Sequence, residues 1–424
     1  MTVGEDKLRP LGPWPQGLNN VAQDTEVPPT ALRKAFNVDL TDQGKPRRRK
    51  GRTSVYSGTN IRSLYDVSGF TVFAEGADFQ RIFPDNSVVT LFSGLDENNP
   101  LSYAEVNTEL FFTDGDNNFK STLGGVVTPL SVPNPNTRPA LAEVADGGLD
   151  AGLYQVTCTH VDQYGTESGT DIPALLIEVA EGSRIVVSGL SLPPNAVATN
   201  VYVTKANGET LYHYAQTDAS SVSIFKQALG KKLETQFMSP MPAGQVMFYY
   251  KGRLWVAQGN VLWFSEPLRY GLTKLSSNFI MFPERITIGQ PVLDGIYIVS
   301  DRTYFLAGTN PKQMQQVVVS PDRAVEGTGM LLKPDVFNVE DVVEDTAYWF
   351  GTRGAMLGLP GGRVTGLMED RVAVPDYQKG ATLYRADGGI QQMITAVSNP
   401  GEVNSLRLGD TASAEVIRNG ILIS

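Results

Sequence analysis

A chain of 424 residues is long for one ordinary domain, and its 41 % hydrophobic and 19 % charged content excludes a disordered polymer. The 42 glycines and 26 prolines are spread along the whole length, which excludes long helices and favours short strands joined by turns. The net charge of −10 excludes a general nucleic-acid coat, which would be basic overall.

The first residues, MTVGEDKLRP, lack the charged-then-apolar pattern of a secretory signal, and no apolar run reaches the length of a membrane span. Synthesis in a cytoplasm is therefore expected. Residues 1–52 read as an extended, irregular arm punctuated by Pro10, Pro13, Pro15, Pro28 and Pro29. Only Thr30 to Phe36 offers a turn or two of helix, with Thr30 as its N-cap. The arm ends in a basic run: Lys45, Arg47, Arg48, Arg49, Lys50 and Arg52 fall within eight positions. Outside that run 29 basic residues face 45 acidic ones, about −16. The run is either a solvated turn or a contact to a neighbouring subunit, phosphate or acidic partner, roles that suit the planar fork of arginine. Free-standing nucleic-acid recognition is disfavoured, because no aromatic residues interleave the basic ones.

From Thr53 the pattern alternates, and an aromatic-rich strand followed by a tight turn and a second strand recurs. The copies are Phe70–Gly76 with Phe79–Phe83, Glu109–Gly115 with Asn118–Leu123, Arg253–Gly259 with Val261–Ser265, Arg302–Gly308 with Gln315–Val319, and Ala347–Gly351 with Gly354–Gly358. Markers at Phe70, Leu110, Trp255, Tyr304 and Trp349, with a weaker sixth near Met393, are mostly separated by about 40 to 50 residues, the period of propeller blades. The expected fold class is all-β: a β-propeller of about five or six blades with an inserted Ig/fibronectin-like β-sandwich and an extended N-terminal arm. The insert follows from one broken step, since Leu110 and Trp255 lie about one period plus a hundred residues apart, the size of a sandwich. Proline-rich stretches at 133–139 and 239–244 bound it. The expected division is arm 1–52, propeller 53–136, sandwich 137–240 and propeller 241–424.

Catalytic chemistry is poorly supplied. The two histidines, His160 and His213, both lie on strand patterns of the insert and read as structural. Cys158, the single cysteine, excludes an intrachain disulfide; it sits two residues from His160 but has no third orienting group. Zinc would need more ligands than this, and neither a P-loop nor a dinucleotide fingerprint is present. Carboxylates could serve a glycan-cleaving enzyme, with Glu266, Glu344, Asp345, Glu369, Asp370, Asp114 and Asp116 as candidates. Most of them neighbour turn-forming residues, where acidic side chains favour local geometry. Asp114-Gly-Asp-Asn-Asn118 matches a calcium loop only in part, and a hairpin turn is the better reading. No catalytic, cofactor or metal site is expected.

The N-terminal segment carries Gly17-Leu-Asn-Asn20, then Val27-Pro-Pro-Thr-Ala-Leu-Arg-Lys-Ala-Phe-Asn-Val-Asp39, Gly44 and Arg47-Arg-Arg-Lys-Gly51. It resembles the opening of the tail nozzle, or tail-hub, proteins of short-tailed bacteriophages, also called packaged-DNA stabilization proteins. Leu262-Trp-Phe-Ser-Glu-Pro267 resembles a strand-end motif of such propellers, and the insert resembles fibronectin type III modules. The resemblance implies a structural virion protein without enzymatic activity, in a homohexameric ring below the portal and adaptor. Tail fibres are further implied partners, and double-stranded DNA would only pass through. The location implied is the virion tail, after synthesis in the host cytoplasm. An acidic lining would suit a conduit that must not hold DNA. The alternative expectation is a tail-associated propeller that binds host-envelope carbohydrate, which exposed aromatics such as Trp14 or Trp263 in a groove would favour.

Overall fold

The structure is a computed structural model, and it describes residues 12–23, 25–35, 38–41, 43–48, 54–67, 70–170, 172–227, 230–334, 344–368, 371, 377–387, 390–398, 413–417 and 420–423. The arm supplies β1 (Val38–Leu40) and β2 (Pro46–Arg48), paired antiparallel with Asp39 opposite Arg47. From residue 61 the chain folds into four-stranded antiparallel meanders. The first sheet is β3 (Ile61–Val67), β4 (Phe70–Glu75), β5 (Asp78–Ile82) and β6 (Val88–Ser93). The second is β7 (Ser102–Val106), β8 (Glu109–Thr113), β9 (Asn118–Thr122) and β10 (Val127–Pro129).

Seven strands then break the series: β11 (Ala140–Leu149), β12 (Gly152–Val161), β13 (Leu175–Val179), β14 (Ser183–Ser188), β15 (Ala198–Val203), β16 (Tyr212–Thr217) and β17 (Ser221–Ile224). They form two sheets, in the orders β11-β14-β17 and β13-β12-β15-β16. The short β18 (Ser239–Pro240) leads back to the meanders. The third sheet is β19 (Val246–Tyr250), β20 (Arg253–Gln258), β21 (Val261–Phe264) and, past β22 (Leu272–Thr273), β23 (Phe279–Met281). β22 pairs with β18, which fastens the returning chain to this sheet. The fourth is β24 (Ile288–Val292), β25 (Gly295–Val299), β26 (Thr303–Ala307) and β27 (Gln315–Ser320). The fifth is β28 (Met330–Leu332), β29 (Thr346–Gly351), β30 (Gly354–Leu359) and β31 (Arg363–Gly366). The sixth is β32 (Lys379–Asp387), β33 (Ile390–Ser398), β34 (Ser413–Ile417) and β35 (Gly420–Ile423). Among the described residues 3-10 turns occur at Pro311–Gln313 and Pro360–Gly362, and Pro334 opens a further one. None is long and apolar enough to cross a membrane.

The strand sequences explain how the sheets stack. Period-2 geometry sends alternate side chains to opposite faces, so a strand apolar at every position must be covered on both. In β8, Leu110 and Phe112 face the first sheet's Val72, Ala74 and Phe79, whereas Phe111 packs with Met247, Leu254 and Val256 of the third. In β20, Trp255 and Ala257 turn the other way, onto Ile296, Ile298 and Leu306 of the fourth sheet. In β29, Ala347 and Trp349 meet Tyr297, Val299 and Phe305 of the fourth, and Tyr348 and Phe350 meet Met393 and Val397 of the sixth. Each middle strand thus seals two neighbouring sheets at once. The first strands of successive sheets also touch, β3 with β7, β7 with β19, β19 with β24 and β24 with β28, so the inner edges converge. This serial stacking of four-stranded meanders gives the all-β fold its β-propeller character.

One of the expected hairpins falls a strand out of step with the others. In the first, second, third and fifth sheets the expected hairpins join the second and third strands, but Arg302–Val319 covers the third and fourth strands, β26 and β27. The equivalent hairpin is β25–β26, with Tyr297 rather than Tyr304 in the place of Trp255 and Trp349. Both hairpins of this sheet carry aromatic and β-branched residues on their strands, so the strand pattern alone cannot choose between them.

In the seven-stranded unit the two sheets enclose one apolar core of Leu149, Tyr154, Val156, Cys158, Val179, Ile185, Val187, Val201, Val203 and Ile224. The arm is irregular, yet it is not a free extension. No helix forms over Thr30–Ala35, whereas Phe36 lies outside the described residues. The Thr30 carbonyl accepts from Gln16 N at 3.1 Å, and Leu32 makes a parallel bridge to Leu18, so the backbone groups a helix would use are bonded within the arm.

Candidate functional site: the clasped basic arm

The display of the basic run depends on how the arm is held. Leu18 is 5 % exposed and enters the apolar cluster between the fifth and sixth sheets, beside Val325, Tyr348, Phe350 and Met393, with Leu32 packed behind it. Backbone bonds fix the same stretch: Asn20 N donates to Arg371 O at 2.9 Å, and Arg371 Nη1 donates to Gln16 O at 3.3 Å. The buried Asp39 of β1 lies 3.6 Å from the Arg385 guanidinium of β32. Trp14 is half-buried against Leu40 and Ala35, so its ring packs the arm rather than lining an open groove. Gly44 sits at φ +71° where a Cβ would fall 2.3 Å from Pro15 N, so glycine is required for this close return of the chain.

On this base the β1–β2 hairpin holds Lys45, Arg47 and Arg48 exposed. Thr41 and Lys45 close the turn, with Thr41 N donating to Lys45 O at 2.9 Å. Arg49, Lys50 and Arg52 lie outside the described residues. The clasp itself had no sequence signal beyond Leu18 and Leu32, since its partners lie some three hundred and more positions away.

The candidate catalytic groups are dispersed. Cys158 belongs to the core of the seven-stranded unit, and burial pushes its thiol up to about 12, so it holds no thiolate at neutral pH. His160 is 5 % exposed, its Nδ1 lies 3.1 Å from Pro133 O, and burial holds its pKa below the ordinary value. His213 is half-buried on β16, its Nε2 3.3 Å from Asn200 Oδ1 and its ring edge-on to Tyr202. Glu266 accepts from Asn278 Nδ2 at 2.8 Å, with Lys274 Nζ 3.8 Å away. Asp114 is fully buried in its hairpin turn: Oδ1 accepts from the amides of Asp116 and Asn117, and Oδ2 from the amide of Asp96, which crosses to the preceding loop. Asp116 is exposed, and Glu344 and Asp345 border the start of β29. Glu369 and Asp370 lie outside the described residues. Trp263 packs beside Phe279 and against the apolar cluster of the second and third sheets, and is only partly exposed. Among the described residues no three His, Cys, Asp or Glu side chains gather in a way that could hold a metal ion.

Two polar networks had escaped the sequence reading. Glu167, on the loop after β12, accepts from Asn200 Nδ2 at 2.9 Å, from the Tyr202 hydroxyl at 2.6 Å and from the Thr159 hydroxyl. Burial, and after it the bond to Glu167, push the Tyr202 phenol above its ordinary range. Arg62 of β3 donates to the carbonyls of Asn99, Gly76 and Asp96, and so ties its own sheet to the loop leading into the second. Neither network has a contiguous motif. Both join side chains and backbone that only the folded chain brings together.

Fold and arm together define an all-β protein of propeller character. No known protein family and no curated protein matches the sequence. Among solved structures, the chain is similar to BBS1N in complex with ARL6DN, at 11 % identity and TM-score 0.33 over 81 % of this chain and 90 % of that one. The Neurospora crassa Pan2 WD40 domain gives 8 % identity and TM-score 0.30 over 81 % and 86 %. The N-terminal domain of Nup159 gives 9 % and 0.27 over 80 % and 73 %. At these scores the likenesses carry no argument about what this chain does.

Proposed function

We propose that this chain is a structural, non-enzymatic subunit of a short-tailed bacteriophage tail nozzle. In this reading its six meanders are the blades of a six-bladed propeller, and residues 137–240 are an inserted Ig/fibronectin-like sandwich. Residues 1–52 are the arm, and 53–136 with 241–424 the two propeller parts. Copies assemble into a ring, a homohexamer, that extends the DNA-ejection channel below the portal and adaptor in the virion tail. Tail fibres join its periphery, and double-stranded DNA passes without being held.

The observation that carries this reading is the arm. A stretch that resembles the opening of nozzle proteins is clasped to the fifth and sixth sheets and presents Lys45, Arg47 and Arg48 to solvent on a chain that is otherwise acidic. A basic edge on an acidic body is suited to contact the acidic surface of the next copy or of the adaptor, and like-charged faces elsewhere discourage other associations. The test is the solution mass by light scattering, alone and with the adaptor, for the wild type and for the triple variant Arg47→Ser, Arg48→Ser, Arg49→Ser. A ring of about six copies that the triple variant weakens is the expected result. A wild type that stays monomeric with every tail component removes the conduit reading, and assembly unchanged in the variant removes the role of the arm.

A further inference from the structure

A cleft of about 320 Å³ lies where the seven-stranded unit meets the second sheet, and none of its lining residues belongs to the arm. One wall is β10 and its exit, with Thr128 and the buried Val132; the other is the turn after β12, with Asp162, Gln163 and Tyr164, and the loop before β15, with Asn195. Its volume falls at the lower end of small-ligand sites, about 300–1,000 Å³, and its place between two structural units is a common one for such sites.

The wall from the seven-stranded unit is built before any ligand arrives. Asp162 Oδ1 accepts from the amides of Tyr164 at 2.9 Å and Thr166 at 2.7 Å, and Gly165 N donates to Asp162 O at 3.1 Å, so the turn is fixed. Val197 N donates to Val161 O at 2.8 Å, which ties the Asn195 loop to the end of the same strand. The Tyr164 ring is 55 % exposed, a large ring held in solvent on a rigid turn, with Lys120 Nζ of β9 6.0 Å from its centroid.

The lining selects a chemical class. An exposed aromatic face suits an apolar C–H surface, and two carboxamides with the hydroxyls of Thr128 and Ser131 offer both donors and acceptors at short range. The one charged side chain in the lining is the carboxylate of Asp162, which offsets the Lys120 ammonium near Tyr164 and leaves no net positive field to draw phosphate, sulfate or carboxylate ligands. A compact, neutral molecule with an apolar face and a rim of hydroxyls is a sugar ring. We propose that this cleft binds a neutral saccharide unit, with Tyr164 stacked on the ring and Gln163 and Asn195 bonding its hydroxyls.

The test is saturation-transfer NMR on the full chain with glucose, galactose and N-acetylglucosamine, each also as a β-linked disaccharide, and with inorganic phosphate as competitor. Transfer to the ring protons of at least one sugar is expected, undisturbed by phosphate. Tyr164→Ala and, separately, Gln163→Ala should each weaken that binding by about tenfold, equivalent to about 1.4 kcal/mol, at an unchanged melting temperature. Absence of transfer to all six sugars overturns the proposal. So does binding that both variants retain in full, or that phosphate displaces. Light scattering reports on ring assembly separately, so either proposal can fail without the other.

Discussion

Asp322 receives the Arg353 guanidinium on both of its oxygens, Nε on Oδ1 at 2.8 Å and Nη2 on Oδ2, which ties the end of β27 to the turn between β29 and β30. The Ser320 hydroxyl also donates to Oδ2, and Thr303 Oγ1 donates to the Asp322 carbonyl at 2.9 Å. The carboxylate is buried while the guanidinium remains half exposed. The fourth and fifth sheets are therefore joined at this rim by a charge-assisted pair, in addition to the aromatic packing of Tyr297 and Trp349.

Removing one partner should be costlier than the pair is worth. Arg353→Met leaves a buried carboxylate with hydroxyl donors only, and a loss of about 1–3 kcal/mol is expected from equilibrium urea unfolding. The acid side gives a second check. Burial alone would raise the Asp322 pKa, but the bonds from Arg353 and Ser320 and the charge of Arg353 outweigh it and hold the carboxyl below its ordinary range. Its stabilisation is therefore complete above about pH 4, the unfolded value, and is lost as the pH falls through the lower folded value. The stability gap between wild type and Asp322→Asn should narrow steadily as the pH is lowered through that window. A gap that widens towards acid would contradict the assignment.

Gly358 tests the seal between the same two sheets from the apolar side. A Cβ there would come 2.6 Å from Tyr297 Cε2 and 2.8 Å from Trp349 Cζ3, both on fully buried rings that cannot swing away. Gly358→Ala should destabilise by about 1–3 kcal/mol through overpacking, read as a lower thermal midpoint. The combination with Trp349→Leu, which opens space at the same point, should recover part of the loss relative to the sum of the single changes.

These two contacts show what the sequence made legible and what it did not. Trp255, Trp349 and the paired aromatic strands announce hairpins because alternation and glycine turns are local, and the long step from Leu110 to Trp255 announces the interruption. The slip at Tyr304 shows the limit of that signal, since two adjacent hairpins in one sheet look alike. Outer strands such as β10 and β23 leave no such mark, because they are three residues long and their side chains are partly exposed, so no alternation is visible. The arm looked extended because proline punctuates it, whereas its conformation is set by the groove that receives Leu18. Glu167 and Asp322 resembled any other acidic turn residues. Their partners, Tyr202 and Arg353, stand 35 and 31 positions away.

Glu167 should prove structural. Glu167→Ala leaves the Tyr202 hydroxyl, Asn200 amide and Thr159 hydroxyl without their common acceptor, and a loss of about 1–3 kcal/mol is expected. Glu167→Gln keeps an acceptor but removes the negative charge, so the Tyr202 phenol should titrate at lower pH than in the wild type, towards the ordinary value near 10. Following the Tyr202 ring resonances through an alkaline titration reads this directly. An unmoved or higher titration point would show that burial alone sets the phenol.

The clasp makes the last prediction, and it separates local from global stability. Leu18 is a buried side chain on a segment attached to the body by few contacts, so Leu18→Ala should lose about 2–5 kcal/mol of local packing without a matching loss in the sheets. The arm would then open below the global transition. Limited trypsin digestion under native conditions should cut the variant faster at Arg33, Arg47 and Arg48, while the bulk of the chain resists digestion as in the wild type. The same opening should weaken ring assembly even with every basic residue present, because the hairpin would no longer be held in place. Faster cleavage with unaltered assembly would separate the clasp from the contact it is proposed to present, and cleavage at the wild-type rate would show that Leu18 does not hold the arm.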